Sequence, residues 1–236
     1  MLTRERVLQA ALELADRDGL VSLSMRKLGA ELDVEAMSLY NHVSHKDDLL
    51  DGIVDVVAGD FESPAEVAGA DWRAVIRQCA MTQHGVLLRH PWAAVLAESR
   101  VLTGPVRLRY YDALLGVLRG AGFSDMGAYR ANLVLDSYVY GFTLQEVAWP
   151  TSADRESDLA ASFIDRTVQT EYPNLVDIAK LSVNGSIDIR ADFEVGLDAI
   201  LDSLEKIRDV SEAGSGVPAP GPRGSSMDAT GGGCRP

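Results

Sequence analysis

The sequence predicts an all-α protein in two helical parts. Apolar residues recur at helical spacing in nearly every segment, and no sustained two-residue alternation with hairpin turns interrupts them. The predicted helices are short before residue 60 and longer after residue 71, with the stretch FESPAEVAGAD between. Glycines and prolines, among them Gly19, Gly104, Pro105, Gly120, Gly122 and Pro150, punctuate the periodic segments.

Val7, Ala10, Ala11 and Leu14 share a face of the first helix, and Gly19 stands where a C-cap would be. Ser24 is the expected N-cap of a short second helix that carries Met25, Leu28 and Leu32 inward, and Asp33 and Val34 form a break. A third short helix is expected over Glu35–Asn41, with Leu39 and Val43 pointing inward. A fourth is expected from Ser44, where Ser44 and Asp47 resemble a capping box and Leu49, Leu50, Ile53, Val54 and Val57 form the buried stripe. Further helices are expected over Trp72–Arg89, from Pro91, over Val106–Leu118, over Ser124–Trp149 and over Asp154–Thr170. The segment EYPNLVDIAKLSVNGSIDIR reads as a long connection. The last helix, at about 192–209, holds Phe193, Leu197, Ile200, Leu204 and Ile207 at spacings that make a packing seam. Residues 211–236, rich in glycine, proline and serine, cannot bury enough apolar surface to offset ordering and read as a disordered tail.

Of 236 residues, 47% are hydrophobic, enough for a core. The N-terminus MLTRERVLQAALELADRDG carries alternating charges where a signal peptide has an apolar block, so a cytoplasmic protein is expected. Cys79 and Cys234 lie far apart, which argues for reduced thiols and against a disulfide framework or cysteine-based zinc site. The net charge of −13 has the wrong sign for loose binding to nucleic acid, so any such site must be local. Up to Asp48 there are six arginines and lysines against nine acids, a balance of 6 − 9 = −3. Arg26, Lys27, His42, His45 and Lys46 nevertheless cluster around the second and third helices.

Two short helices joined by a tight break are what a helix-turn-helix needs to set a recognition helix in the major groove. With LSMRKLGAELDV followed by EAMSLYNHVSHKDDLL, the chain closely resembles the TetR family of bacterial transcriptional regulators over about residues 4–58. Its later part resembles the ligand-binding half of the tetracycline-repressor branch at Trp72, the HPW turn, TGP before Val106, GFS at 122–124, YVYGFTLQE and FEVGLDAILDSLE. The resemblance implies a helix-turn-helix DNA-binding domain at 1–60 and a helical ligand-binding and dimerisation domain at 71–210. It implies a repressor released from a pseudo-palindromic operator by a small effector, a homodimer formed through the long eighth helix at about 124–149 and the last helix, and no cofactor.

The same resemblance assigns DNA-binding positions to Arg26, Lys27, Ala36, Met37, Ser38, Tyr40, Asn41, His42 and Lys46. Arginine's fork suits guanine O6 and N7, which makes Arg26 a specificity candidate, whereas Tyr40 matches a phosphate contact. Ala36, Met37 and Asn41 stand where the tetracycline repressor has glutamine, proline and tryptophan, so a different operator is expected. Asp33 stands where the turn usually has glycine, a position that needs a left-handed backbone.

On the long helix Tyr129, Asn132, Asp136 and Tyr140 share a face, flanked by Leu133 and Ser137. A polar stripe on a mostly apolar helix marks either an effector pocket or contacts with neighbouring helices. Gln83, Trp92, Arg100 and Tyr111 are expected to converge on the same pocket. Arg100 and Ser137 stand near metal-chelating positions of the tetracycline repressor and cannot chelate in that way, so the expected effector is a largely apolar or aromatic molecule with a carboxylate or enol facing Arg100. Catalysis or a metal site would need a nucleophile with its base, or a third ligand beside His42 and His45 or His84 and His90, and no such residue follows at a telling interval. The alternatives are a ligand-independent regulator or activator of the same family and a helical interaction protein that does not bind DNA.

Overall fold

The computed structural model describes residues 1–67, 71–100, 104–148, 172–183 and 187–213, and among them every regular element is helical. The helices are α1 (Arg4–Asp18), α2 (Met25–Glu31), α3 (Ala36–Leu39), α4 (Lys46–Ala58), α5 (Trp72–Arg89), α6 (Pro91–Glu98), α7 (Pro105–Gly120), α8 (Asp125–Ala148), α9 (Pro173–Val183) and α10 (Ile189–Ala213), with a 3₁₀ turn at Leu20–Ser22. No helix among the described residues is long and apolar enough to cross a membrane.

Local chemistry sets the first four helices. Thr3 and Ser24 cap α1 and α2 by accepting from the backbone N–H groups of Arg6 and Lys27. Val7, Ala11, Leu14, Leu28, Leu39, Val43, Leu49 and Ile53 are almost fully buried and close one small core. In the turn between α2 and α3, Asp33 adopts φ 54°, the left-handed conformation the sequence calls for. Gly29 is needed there for lack of a side chain: a Cβ would come within 2.8 Å of the Val34 carbonyl oxygen. The start of α4 differs from the capping box expected at Ser44. His45 is the N-cap, its Nδ1 accepting from the Asp48 backbone N–H at 3.0 Å, and the Asp48 carboxylate accepts from the Ser44 backbone N–H at 2.7 Å.

In the rest of the chain, α5 and α6 fall on the expected spans, and α7 and α8 fall within a residue or two of theirs. The connection expected across EYPNLVDIAKLSVNGSIDIR is corrected: Pro173–Val183 is helical, because Leu175, Val176, Ile178, Ala179 and Leu181 repeat at helical spacing behind a proline that suits a first turn. The last helix is also longer than expected and runs through 211–213. The helix expected over Asp154–Thr170 and the remainder of the tail lie outside the described residues. α10 packs on α8 and α5: Phe193, Leu197, Leu201 and Leu204 are buried, Phe193 stacks on His84 with ring centres 3.9 Å apart, and Tyr138 donates to the Phe193 carbonyl at 2.8 Å. Arg77 fastens the same junction through Glu194 and Asp198.

α4 joins the two groups of helices. Its Asp55 carboxylate accepts from the backbone N–H groups of Val106 and Arg107 at 3.0 and 2.9 Å, so a side chain of α4 caps the N-terminus of α7. A Cβ at Gly104 would overlap that carboxylate. Arg100, just after α6, donates to Asp51 and to the Asp47 backbone carbonyl at 3.0 Å.

Candidate DNA-reading surface and effector cleft

α3 is shorter than the expected Glu35–Asn41. Its last regular residue is Leu39, and Tyr40 and Asn41 continue as tight turns whose backbone N–H groups bond to Met37 and Ser38. Leu39 and Val43 are buried, whereas Met37 is 75% exposed and Tyr40 and Asn41 are exposed. Ala36, Ser38 and His42 are half-buried beside them. Arg26 and Lys46 are exposed and make no ion pair among the described residues. Lys27 is different: its Nζ lies 2.9 Å from the Asp18 carboxylate. Asp18 also meets Arg17, which forks onto Glu31 at 3.1 and 2.7 Å. This network answers the awkward charge balance, since acids of α1 and α2 are neutralised by neighbours beside the reading face.

Arg4 supports that face although it touches none of its outward side chains. It donates to the His42 carbonyl at 2.9 Å and forks onto Asp48 at 3.1 and 2.6 Å, tying the start of α1 to the end of the reading segment. The guanidinium holds the Asp48 carboxyl down at about 2. Nothing in the spacing of Arg4 and Asp48 announces this pair, because they lie 44 residues apart.

The second site is a cleft of ≈ 340 Å³ between α6, α7 and α8. Arg100, Tyr111, Asn132 and Asp136 line it as expected, joined by Ala97, Glu98, Arg107 and Leu115. It continues along α7 and α8, through the shared Leu115 and Asn132, into a groove of ≈ 410 Å³ that Tyr129 lines. Tyr111 donates to Asp136 at 3.2 Å and Asn132 donates to its other oxygen at 3.1 Å. Burial nevertheless pushes the Asp136 carboxyl up to about 7. Tyr140 and Gln83 are buried beside it, and Gln83 accepts from Tyr110 at 3.4 Å.

Three expected pocket residues lie elsewhere. Leu133 and Ser137 each follow a cleft residue by one position, about 100° around the helix, and are exposed on another face. Ser137 is bonded to the Leu133 carbonyl at 2.7 Å. Trp92 is turned toward α1, donating its indole N–H to Asp16 at 2.6 Å. Arg100 lines the cleft, but its guanidinium is engaged by Asp47 and Asp51 and does not stand free to meet an anion. Arg107, absent from the sequence-based set, is 92% buried by its 8% exposure and lines the cleft with a guanidinium that bonds to nothing among the described residues. The signal for it was present, since Arg107, Tyr111 and Leu115 recur every fourth residue on one face of α7.

Another groove, of ≈ 540 Å³, is lined by Asp48, Asp51 and Asp55 of α4. Those carboxylates are already matched to Arg4, Arg100 and the start of α7. No group of three or more His, Cys, Asp or Glu among the described residues could hold a metal ion. His84, a candidate ligand in the sequence, lies 2.9 Å from Thr143 Oγ1, and burial lowers it to about 4.

A family model described as "Tetracyclin repressor-like, C-terminal domain" matches residues 64–208. An HTH-type transcriptional regulator of Saccharopolyspora erythraea is 39% identical over 175 residues, 74% of each chain. The HTH-type transcriptional repressor DrrR1 of Streptomyces coeruleorubidus is 32% identical over 213 residues, 86% of this chain and 77% of that one. Among solved structures, the Streptomyces coelicolor TetR family protein ActR in complex with actinorhodin is 31% identical, with a TM-score of 0.74, covering 87% of this chain and 98% of that one. Helix-turn-helix, long-helix bundle and family match agree: the chain belongs to the TetR family of transcriptional regulators.

Proposed function

We propose that the chain is a homodimeric repressor that binds a pseudo-palindromic operator and is released when a small molecule enters the cleft between α6, α7 and α8. Residues 1–60 form the DNA-binding head and residues 71–210 the effector and dimerisation part. The observation that carries this reading is the position of α4. It follows the reading segment directly and is held at Asp47, Asp51 and Asp55 by Arg100 and by the start of α7, two parts of the cleft wall. A ligand that moves this wall moves α4 and therefore the reading surface.

On that surface Arg26 reads a base, Tyr40 and Lys46 meet phosphates, and Ala36, Met37, Ser38, Asn41 and His42 set the fit to the groove. Lys27 has a smaller role because of its ion pair with Asp18. Met126, Leu133, Val134 and Val147 on α8 and Val195 on α10 leave an exposed apolar surface that a second copy would cover. ActR is solved with actinorhodin and with (S)-DNPA, which supports a small-molecule effector here. The cleft's mixture of aromatic and charged residues is in keeping with a largely apolar or aromatic ligand that carries a polar group.

Footprinting on the DNA upstream of the chain's own coding sequence, followed by release assays with a panel of aromatic natural products, tests this reading. A two-fold symmetric footprint lost on adding a panel member is the expected result. No footprint, or a footprint no compound relieves, would overturn the repressor or the effector part respectively, and release by tetracycline alone would overturn the assigned ligand class.

A further inference from the structure

Arg107 is the most telling unused group in the molecule. A largely buried arginine whose guanidinium makes no hydrogen bond is costly, and an anion that bonds to it relieves the cost. Its exposure is 8%, its guanidinium makes no hydrogen bond or ion pair among the described residues although its charge acts on the Asp136 carboxylate, and it lines the cleft. The other cation of the cleft, Arg100, is held by two aspartates of α4. A second unmatched atom lies on the same cleft: Asn132 Oδ1 is buried and accepts nothing among the described residues, while the same amide's nitrogen serves Asp136. The cleft is therefore lined by a donor fork and an amide oxygen that make no hydrogen bond among the described residues, together with the ring of Tyr111 and the side chain of Leu115.

We propose that the effector is an aromatic acid whose carboxylate, or ionised enol, sits on the Arg107 guanidinium while a hydroxyl on the same ring system donates to Asn132 Oδ1. The assignment rests on the effector-released reading given above. A fork of N–H donors matches a carboxylate in two parallel charge-assisted hydrogen bonds, the strongest neutralisation the site can receive. The acids in the cleft do not favour a cationic ligand. Glu98 is exposed to water, and Asp136 already accepts from Tyr111 and Asn132. The adjoining groove past Leu115 and Asn132 leaves room for the rings to extend toward Tyr129.

Calorimetric titration of the full-length protein with 4,5-dihydroxyanthraquinone-2-carboxylic acid, its methyl ester and its 2-aminomethyl analogue tests the proposal. The acid should bind wild type about tenfold or more tighter than the ester, as expected for charge-assisted hydrogen bonds made only by the acid. Arg107→Gln should bring acid and ester to within about threefold, and Arg107→Lys should restore part of the preference. Should the glutamine variant fail to fold, the wild-type ratio and the lysine variant still decide. Equal binding of acid and ester, an acid preference that survives Arg107→Gln, tighter binding of the amine, or no binding of any of the three would overturn it. Release of the operator by an uncharged compound, unaffected by Arg107→Gln, would overturn this ligand class and leave the effector-released repressor standing.

Discussion

Asp136→Asn should make the protein more stable at pH 8 and change it little near pH 4. In the folded chain burial holds the carboxyl at about 7 against an ordinary 3.8. The unfolded chain therefore releases this proton first, and folding stability falls as pH rises from about 4 to about 7 and stays lowered above that. At about 1.36 kcal/mol per pH unit the interval corresponds to roughly 4 kcal/mol. That value already balances Tyr111, Asn132 and Arg107, which favour the charged form, against burial and Glu98. The asparagine variant recovers only part of the roughly 4 kcal/mol, because its amide is itself buried and its hydrogen bonds must be remade. A gain of about 2 kcal/mol at pH 8 is expected. The new amide fits the same volume, can accept from Tyr111, and can donate to the unmatched Asn132 Oδ1 if that side chain turns over. Urea unfolding followed by circular dichroism at fixed protein concentration, on both proteins across this pH range, measures it. If wild type loses no stability between pH 4 and 8, or the variant shows no gain at pH 8, the account of a buried, reluctantly ionised carboxyl is wrong.

Other expectations concern the head and its attachment. Arg26→Ala should weaken operator binding by about 1–3 kcal/mol and relax preference at particular bases, whereas Tyr40→Ala should weaken all sequences alike, as quantitative footprinting on variant operators would show. Lys27→Ala should cost less operator affinity than Lys46→Ala in gel-shift titrations, because among the described residues an acid holds Lys27 and none holds Lys46. Asp55→Ala removes the acceptor for two backbone N–H groups of α7 and should lower stability by about 2 kcal/mol in urea unfolding. The Arg4–Asp48 pair depresses the Asp48 carboxyl to about 2, so its contribution is present above about pH 4 and lost as pH falls toward 2. Partial exposure limits it to about 1 kcal/mol, visible as a wild-type advantage over Asp48→Asn at pH 7 that vanishes near pH 2.

Local signals made the fold legible. The caps Thr3 and Ser24, the turn at Asp33 and the proline that opens α6 act over a few residues, and helical spacing located most of the buried stripes. Pro173–Val183 was missed because its apolar repeat is diluted by the polar residues around it. Long-range pairing was not legible. Sequence alone ranked Arg100 as the cleft's cation, but which arginine is neutralised depends on acids 49 and 53 residues away, and these come from another helix. Trp92 was assigned to the cleft by its chemistry, whereas a carboxylate on α1, 76 residues distant, decides where it points. On α8 Asn132 and Asp136 of the polar stripe do line the cleft, but Leu133 and Ser137 do not, since one residue's step around a helix separates a cleft wall from the outer face.

The aspartates of α4 bear on how such regulators can be recombined. A chimera cut near residue 60 would take Asp47, Asp51 and Asp55 with the head and leave Arg100, Gly104 and the start of α7 with the body. Grafted onto a foreign body, the head would bring three carboxylates without their matching arginine and helix end, and could bind its operator yet ignore the effector. Working hybrids should have to exchange both sides of this junction together, which makes the joint itself a unit of inheritance as much as either part it connects.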